Sequence, residues 1–390
     1  MSDARFPQRL AAFHRWMQFA AAGGAVVLVA GLWLGRERAW ADLLLGSFAM
    51  ICLGLAGLFF VALQYASGAV WSIALRRVGE ALTAALPAGA SGILLVLVAH
   101  RSIYPWYGKS WANPESYTGF KQAWLSYPFF LARAVIYVAV WLWFAWAMSD
   151  NSRRQDVECG NDLSRRNTRL AAAFMVVFGV TFWLASTDWV MSLEPDWAST
   201  IFGIYHFSGM FLAGLAAVTL FALALRRAGP LRAYITDAHL LDLGQLILAF
   251  ATFWAYIWFC QYMLIWYTNL TEETNYIALR TGSGWEKLFV LNFLLNWALP
   301  FLLLLPRGNK MNPRTLSAAA ILILLGRTAD LYLMIVPPFS PKSPLPTIWD
   351  AATLALVAGG VALLSLNRFF RGEPVPVGDP LLPESVHSAH

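Results

Sequence analysis

Charge is what this chain has least of. Asp, Glu, Lys and Arg make up only 13% of its 390 residues, against roughly a quarter in a soluble domain. A large water-soluble globule is excluded on that ground. Cysteine is also scarce: Cys52, Cys159 and Cys260 are isolated and form no CxxC pair. Zinc or iron–sulfur ligation within the chain is therefore not expected, and Cys52 and Cys260 read as small apolar packing residues. Of six histidines, His387 and His390 fall in the tail, and His14 and His239 fall at one face. A bis-histidine haem would have to use His100 and His206. The chain has no P-loop, no HExxH and no nucleophile elbow. No catalytic residue, metal or bound cofactor is expected in it, and any redox centre belongs to a partner.

Apolar residues make up 59% of the sequence, in runs long enough to cross a bilayer. The 19 Trp and 13 Tyr suit the two interfaces, where amphipathic rings settle. The pattern predicts an all-α, polytopic membrane protein with ten transmembrane helices. The spans are approximately 14–34, 42–66, 82–101, 129–148, 168–191, 199–226, 242–268, 286–305, 315–336 and 349–370. Residues 1–370 read as one integral-membrane domain. Residues 371–390 read as a proline-rich extended tail, disordered or strapped onto a neighbour. The run 17–34 leads into GRER without a small-residue cleavage site, so it reads as a span rather than a cleaved signal.

An even number of spans puts both termini on one side. Most of the 28 Lys and Arg fall in the terminal segments and the even-numbered loops, Arg76, Arg77, Arg153, Arg154, Arg165 and Arg166 among them. The positive-inside rule then predicts cytoplasmic termini, and the net charge of +6 implies no nucleic-acid partner. Four loops fall outside: 101–128, 192–198, 269–285 and 337–348. Their aromatic and acidic character predicts a docking surface, with Glu194, Asp196, Trp197, Glu272 and Glu273 as candidates. The alternative is interfacial anchoring alone.

The chain is organised around residues 183–211, WLASTDWVMSLEPDWASTIFGIYHFSGMF. It reads as the end of one apolar helix, a turn made by Glu194, Pro195 and Asp196, and the start of another. Pro195 just inside a helix start, with acids beside it, fits the free N–H groups and positive dipole end there. Asp188 and His206 lie inside the two helices, where ionisable groups are costly and functional by default. His100, Arg133, Gln261, Arg327 and Asp330 fall in the same outer layer, by a rise of about 1.5 Å per residue. Asp188 is the strongest candidate, because a carboxylate inside a span needs a partner or a proton. Arg327 and Asp330, three residues apart, can pair on one face, and a purely structural ion pair is the plain alternative. Arg133 reads as a snorkelling or loop-clamping cation. The inner half offers mainly Gln18, Gln64, Thr219, Asp242 and Gln245, and no internal repeat stands out.

Three stretches carry a family resemblance: STDWVMSLEPDWASTIFGIY at 186–205, QYMLIWYTNLTEET at 261–274 and YPFFLARAVIYVAVW at 127–141. Together they resemble the smaller, ActF-type membrane subunit of bacterial alternative complex III, a quinol:electron-acceptor oxidoreductase. That subunit is one of the NrfD/PsrC-like (polysulfide-reductase-like) membrane proteins. The resemblance implies two four-helix bundles, spans 2–5 and 6–9, flanked by spans 1 and 10, in the bacterial inner membrane. It implies a multihaem c-type cytochrome, an iron–sulfur subunit, a sister ActC-type membrane subunit and small membrane subunits as partners. Haem c and iron–sulfur clusters would sit in those partners. The sister subunit would house oxidation of menaquinol, and this chain would conduct protons and act as a scaffold. On that reading Asp188, His206 and Asp330 form an outer half-channel, with Arg133 and Arg327 setting their charge states. If this chain itself bound the quinol, His100, Asp188 and His206 would be the candidate proton acceptors. A stand-alone secondary transporter is the reading of another class, disfavoured by the missing repeat and by polar groups lying above the midplane.

Overall fold

The computed structural model describes residues 7–107, 119–158 and 160–387. Cys159, His390 and the middle of the 101–128 loop lie outside the described residues. Among the described residues, ten helices are long and apolar enough to cross a membrane: α1 Leu10–Trp33, α2 Glu37–Ser67, α3 Trp71–Ala99, α4 Tyr127–Glu158, α5 Asp162–Leu193, α6 Phe202–Ala228, α7 Asp237–Thr268, α8 Glu286–Leu304, α9 Pro313–Ile335 and α10 Ile348–Phe369. Among the described residues there is no strand, so the protein is all-α and multi-pass.

Helices α2 to α5 form a ring in which each helix touches the next and α5 returns to α2. Helices α6 to α9 form a second such ring. The two are joined through α2, which packs against α6 and α9, and through α5 against α6. The central helices α2 and α6 are accordingly the most enclosed. Helices α1 and α10 pair with each other and together lie on α2. The two flanking spans thus cover one side of the first bundle as a hairpin.

Several expected boundaries move. Residues 71–81 fall in the loop expected between the second and third spans, yet they are helical, and Arg76, Arg77 and Glu80 are buried in them. The polar 149–167 stretch is largely helical too, as extensions of α4 and α5. The chain turns from α2 into α3 through Gly68 at φ 65°, a left-handed cap that glycine adopts without strain. On the opposite side, residues 271–281 are the helix Thr271–Thr281 rather than an open loop.

The tail is not loose. It folds back over its own chain. Val375 is fully buried, Arg76 pairs with Asp379 at 2.7 Å, and Ser385 donates to the Trp71 carbonyl at 2.8 Å. The segment Leu382–His387 is a short helix.

Candidate functional site

Two buried carboxylates lie near the side opposite the termini, one in each bundle. Asp188, on α5, is 1% exposed and accepts from three side chains. Arg133 grips it through both Nη2 at 2.9 Å and Nε at 3.0 Å. Trp124 Nε1 donates at 2.9 Å, and Tyr137 donates from its hydroxyl at 3.2 Å. Arg133 also donates to the Trp124 carbonyl at 3.0 Å and lies over the Trp124 ring at 3.8 Å. It does clamp the preceding segment. It does not snorkel, because the two-point bond to Asp188 holds it inside.

Asp330, on α9, is wholly buried. Tyr205 and Arg327 donate to it, as do Asn292 at 3.1 Å and Trp254 at 3.4 Å. Asn296 extends the network by donating to the Asn292 side-chain oxygen at 2.7 Å. It sits in a π-helical turn, Leu294–Ala298, a distortion found often at functional sites. The Arg327 guanidinium also meets His206 Nδ1 at 3.5 Å. A Cβ at Gly209 would overlap that guanidinium, so the Arg327 side chain would have to shift.

His206 is fully buried among Phe48, Phe202 and Tyr205. It belongs to the Asp330 network, while Asp188 is enclosed by other groups. His100 lies elsewhere, stacked on Trp40 at 4.8 Å, and desolvation holds its pKa below the usual 6.5. The three residues considered as quinol proton acceptors therefore occupy three separate surroundings.

A narrow pocket reaches Asp330 from between α7, α8 and the Thr271–Thr281 helix. Tyr205, Gln261, Tyr276, Arg280, Asn292 and Asp330 line it together with aromatic and aliphatic side chains. Its free volume of about 30 Å³ is about that of one water. The buried Gln261 side-chain oxygen has no protein partner, so the pocket offers an acceptor beside a carboxylate.

The opposite-side loops pack against one another. Glu194 bonds Arg280 at 2.5 Å, and Arg280 donates further to the carbonyls of Leu333 at 2.7 Å and Tyr276 at 2.9 Å. Trp197 is buried and stacks on Tyr276 at 3.7 Å. It is a structural wedge and is not available for docking. Asp196 and Glu272 remain exposed, and Glu194 and Glu273 partly so. Helix α6 starts only at Phe202, so Pro195 does not open it and Glu194 does not cap it.

Sequence reading missed a third buried polar group, near the terminal side. Arg77 donates to Glu80 at 2.8 Å and also to Asp156, and Arg76 lies over the Tyr65 ring at 4.4 Å. The apparent confinement of charge to one half of the membrane is thereby corrected. The available signal was the helical spacing of Arg77 and Glu80, three residues apart. Among the described residues, no three His, Cys, Asp or Glu side chains converge to hold a metal. No protein-family description matches the chain, and no curated protein is significantly similar to it in sequence.

Proposed function

We propose that this protein is a proton-conducting and scaffolding membrane subunit of a quinol:electron-acceptor oxidoreductase of the alternative complex III type. The observation that carries the reading is the network around Asp330. A wholly buried carboxylate with a tyrosine, an arginine and a nearby histidine sits at the foot of a pocket with room for about one water. Such a group can take a proton from one side of the bilayer and return it through ordered water. Intramembrane carboxylates and histidines serve as relays of this kind. The exposed acids Asp196 and Glu272 on the same side suit a basic face of a partner carrying haem c or iron–sulfur clusters. The positive-inside rule makes that side the outer one.

The test is to isolate the complex through a tag on this chain and compare the wild type with Asp330→Asn. The reading expects intact assembly, with lowered quinol-driven turnover and lowered proton release per electron. Unchanged release in an assembled variant would sink it.

A second reading, that this chain binds the quinol itself, is favoured by Gln261. Its unpartnered oxygen lines the Asp330 pocket beside Tyr262 and Trp258. On that reading the ring would rest at the mouth of the pocket near Gln261, its hydroxyl proton would pass inward to Asp330, and its electrons would leave to a redox centre of a partner subunit. A photoreactive quinone analogue attaching to α7 or α8 would favour it. The pocket, and not the His100, Asp188 and His206 set, is where attachment is to be sought.

A further inference from the structure

One structural feature left out of that reading is a long groove on the bilayer-facing side of the first bundle. It runs between α10 and the helices α2 and α3. Along α10 it is lined by Thr353, Leu356, Val357, Gly360, Leu364 and Asn367. These recur at helical spacing and make one continuous face. From Thr353 to Asn367 the groove extends about 21 Å at 1.5 Å per residue. Its opposite wall is made by Leu43, Gly46, Ser47 and Met50 on α2 and by Ala88 and Gly92 on α3.

Shape selects the occupant. A volume of about 460 Å³ spread over that length gives a mean section of about 22 Å². That is the section of one extended hydrocarbon chain. The groove opens on helices that face lipid, so a chain from the bilayer is at hand.

Charge selects the head group. At the end away from the termini, Arg38 is already shared by Asp350 at 2.6 Å and Asp42 at 3.4 Å. Arg36 and Arg38 are matched there by Glu37 and Asp350, with Asp42 beside them, so no surplus of positive charge awaits a phosphate. At the terminal end, Asn367 is exposed and meets His14 at 3.3 Å. Their sequence neighbours Arg15 and Arg368, with the exposed Arg371 close by in the chain, supply an excess of positive charge. An anionic head group is favoured at that interface.

We infer that the groove between α10, α2 and α3 is a binding site for an anionic phospholipid, one acyl chain along α10 and the phosphate beside Arg15 and Arg368. Such a lipid would fill the seam between the α1–α10 hairpin and the first bundle.

The test uses the full chain in vesicles of phosphatidylglycerol doped with the same lipid carrying a diazirine midway along one acyl chain. After illumination, labelled peptides are mapped. Labelling should concentrate on α10 between Leu356 and Leu364 and on Met50, above the level on the exposed Trp266 and Tyr267 of α7. A Cβ at Gly360 would meet only the flexible end of Met50, at 3.4 Å, so Gly360→Leu can fold while its side chain obstructs the groove. It should lower α10 labelling about tenfold, and Ala88→Leu, from the other wall, should do the same. Arg368→Gln should weaken labelling by the anionic probe and leave a phosphatidylcholine probe unaffected. Even labelling over all lipid-facing helices would overturn the site. So would labelling that both groove-filling variants leave unchanged. Displacement of the probe by an isoprenoid quinone but not by unlabelled phosphatidylglycerol would overturn the assigned occupant.

Discussion

Asp188 and Asp330 occupy equivalent places: each lies five residues before the last residue of the fourth helix of its bundle, at Leu193 in α5 and Ile335 in α9. Each accepts from an arginine, a tyrosine and a tryptophan. The arginine comes from the neighbouring α4 in one bundle and from α9 itself in the other. The chemistry therefore repeats although the sequence does not. One network reaches a pocket and a histidine, and the other is tied down by a two-point arginine bond. This difference is the ground on which proton exchange is proposed at Asp330 rather than at Asp188.

The first consequence is energetic. Arg133→Leu leaves Asp188 charged and unmatched inside the bundle, which costs about 3–5 kcal/mol for a buried pair. The double variant Arg133→Leu with Asp188→Leu removes both charges and should recover most of that loss. Thermal unfolding of the single and double variants in one detergent measures the coupling. Additive losses would show that the pair does not act as a unit.

The second concerns Gly209. Replacing it with alanine places a methyl group where the Arg327 guanidinium lies. Arg327 must then shift away from Asp330 and His206. Quinol-driven proton release should fall by about tenfold for each 1.4 kcal/mol by which the displaced guanidinium raises the barrier. Assembly of the complex should persist. Gly308→Ala, where nothing lies near the added carbon, is the control, and equal behaviour of the two variants would refute the positioning role of Gly209.

What the sequence disclosed follows from cost. Asp188, Arg327 and Asp330 stand out because a charge in an apolar run is rare, and the Arg327–Asp330 pair is legible because its members are three residues apart. Arg133 and Asp188 are 55 residues apart, and no local pattern joins them. Arg76, Arg77 and Glu80 were hidden for the opposite reason: their density makes a buried helix resemble a basic loop. Trp197 reads as a docking aromatic, since nothing local shows that Tyr276, far along the chain, will stack on it. The tail reads as loose from its prolines, because its anchors Arg76 and Trp71 are some 300 residues away.

His100 gives a prediction in pH. It is half-buried against Trp40, and desolvation lowers its folded pKa below 6.5. The unfolded chain thus binds this proton more readily than the folded one. The stability contributed is present above about pH 6.5 and is lost as the pH falls through the folded pKa. His100→Phe keeps the stacked ring and removes the titration. The variant should lose less thermal stability than the wild type between pH 7 and pH 5. Parallel losses would assign the acid sensitivity to other groups.

The tail supplies the last prediction. Arg76 and Asp379 form an ion pair at 2.7 Å, with both side chains largely buried, and Arg76 also lies over Tyr65. Removing Asp379 leaves an arginine facing the aromatic ring and the buried Glu80–Arg77 group without its carboxylate. Removing Arg76 leaves the tail without its anchor. Either change should release residues 373–387 from the terminal face, because Val375 and Ser385 cannot stay buried once the strap lifts. Limited proteolysis on the terminal side reads this directly. Asp379→Ala and Arg76→Ala should each speed cleavage within 373–387, and the double variant should add little to either. Cleavage as slow in both single variants as in the wild type would mean that Ser385 and Val375 alone hold the strap. A cut tail should leave the Asp188 and Asp330 networks undisturbed, since both lie at the ends of α5 and α9 away from the termini. Retained proton release in a tail-truncated complex would thus separate a clamp on the terminal face from a part of the conducting path.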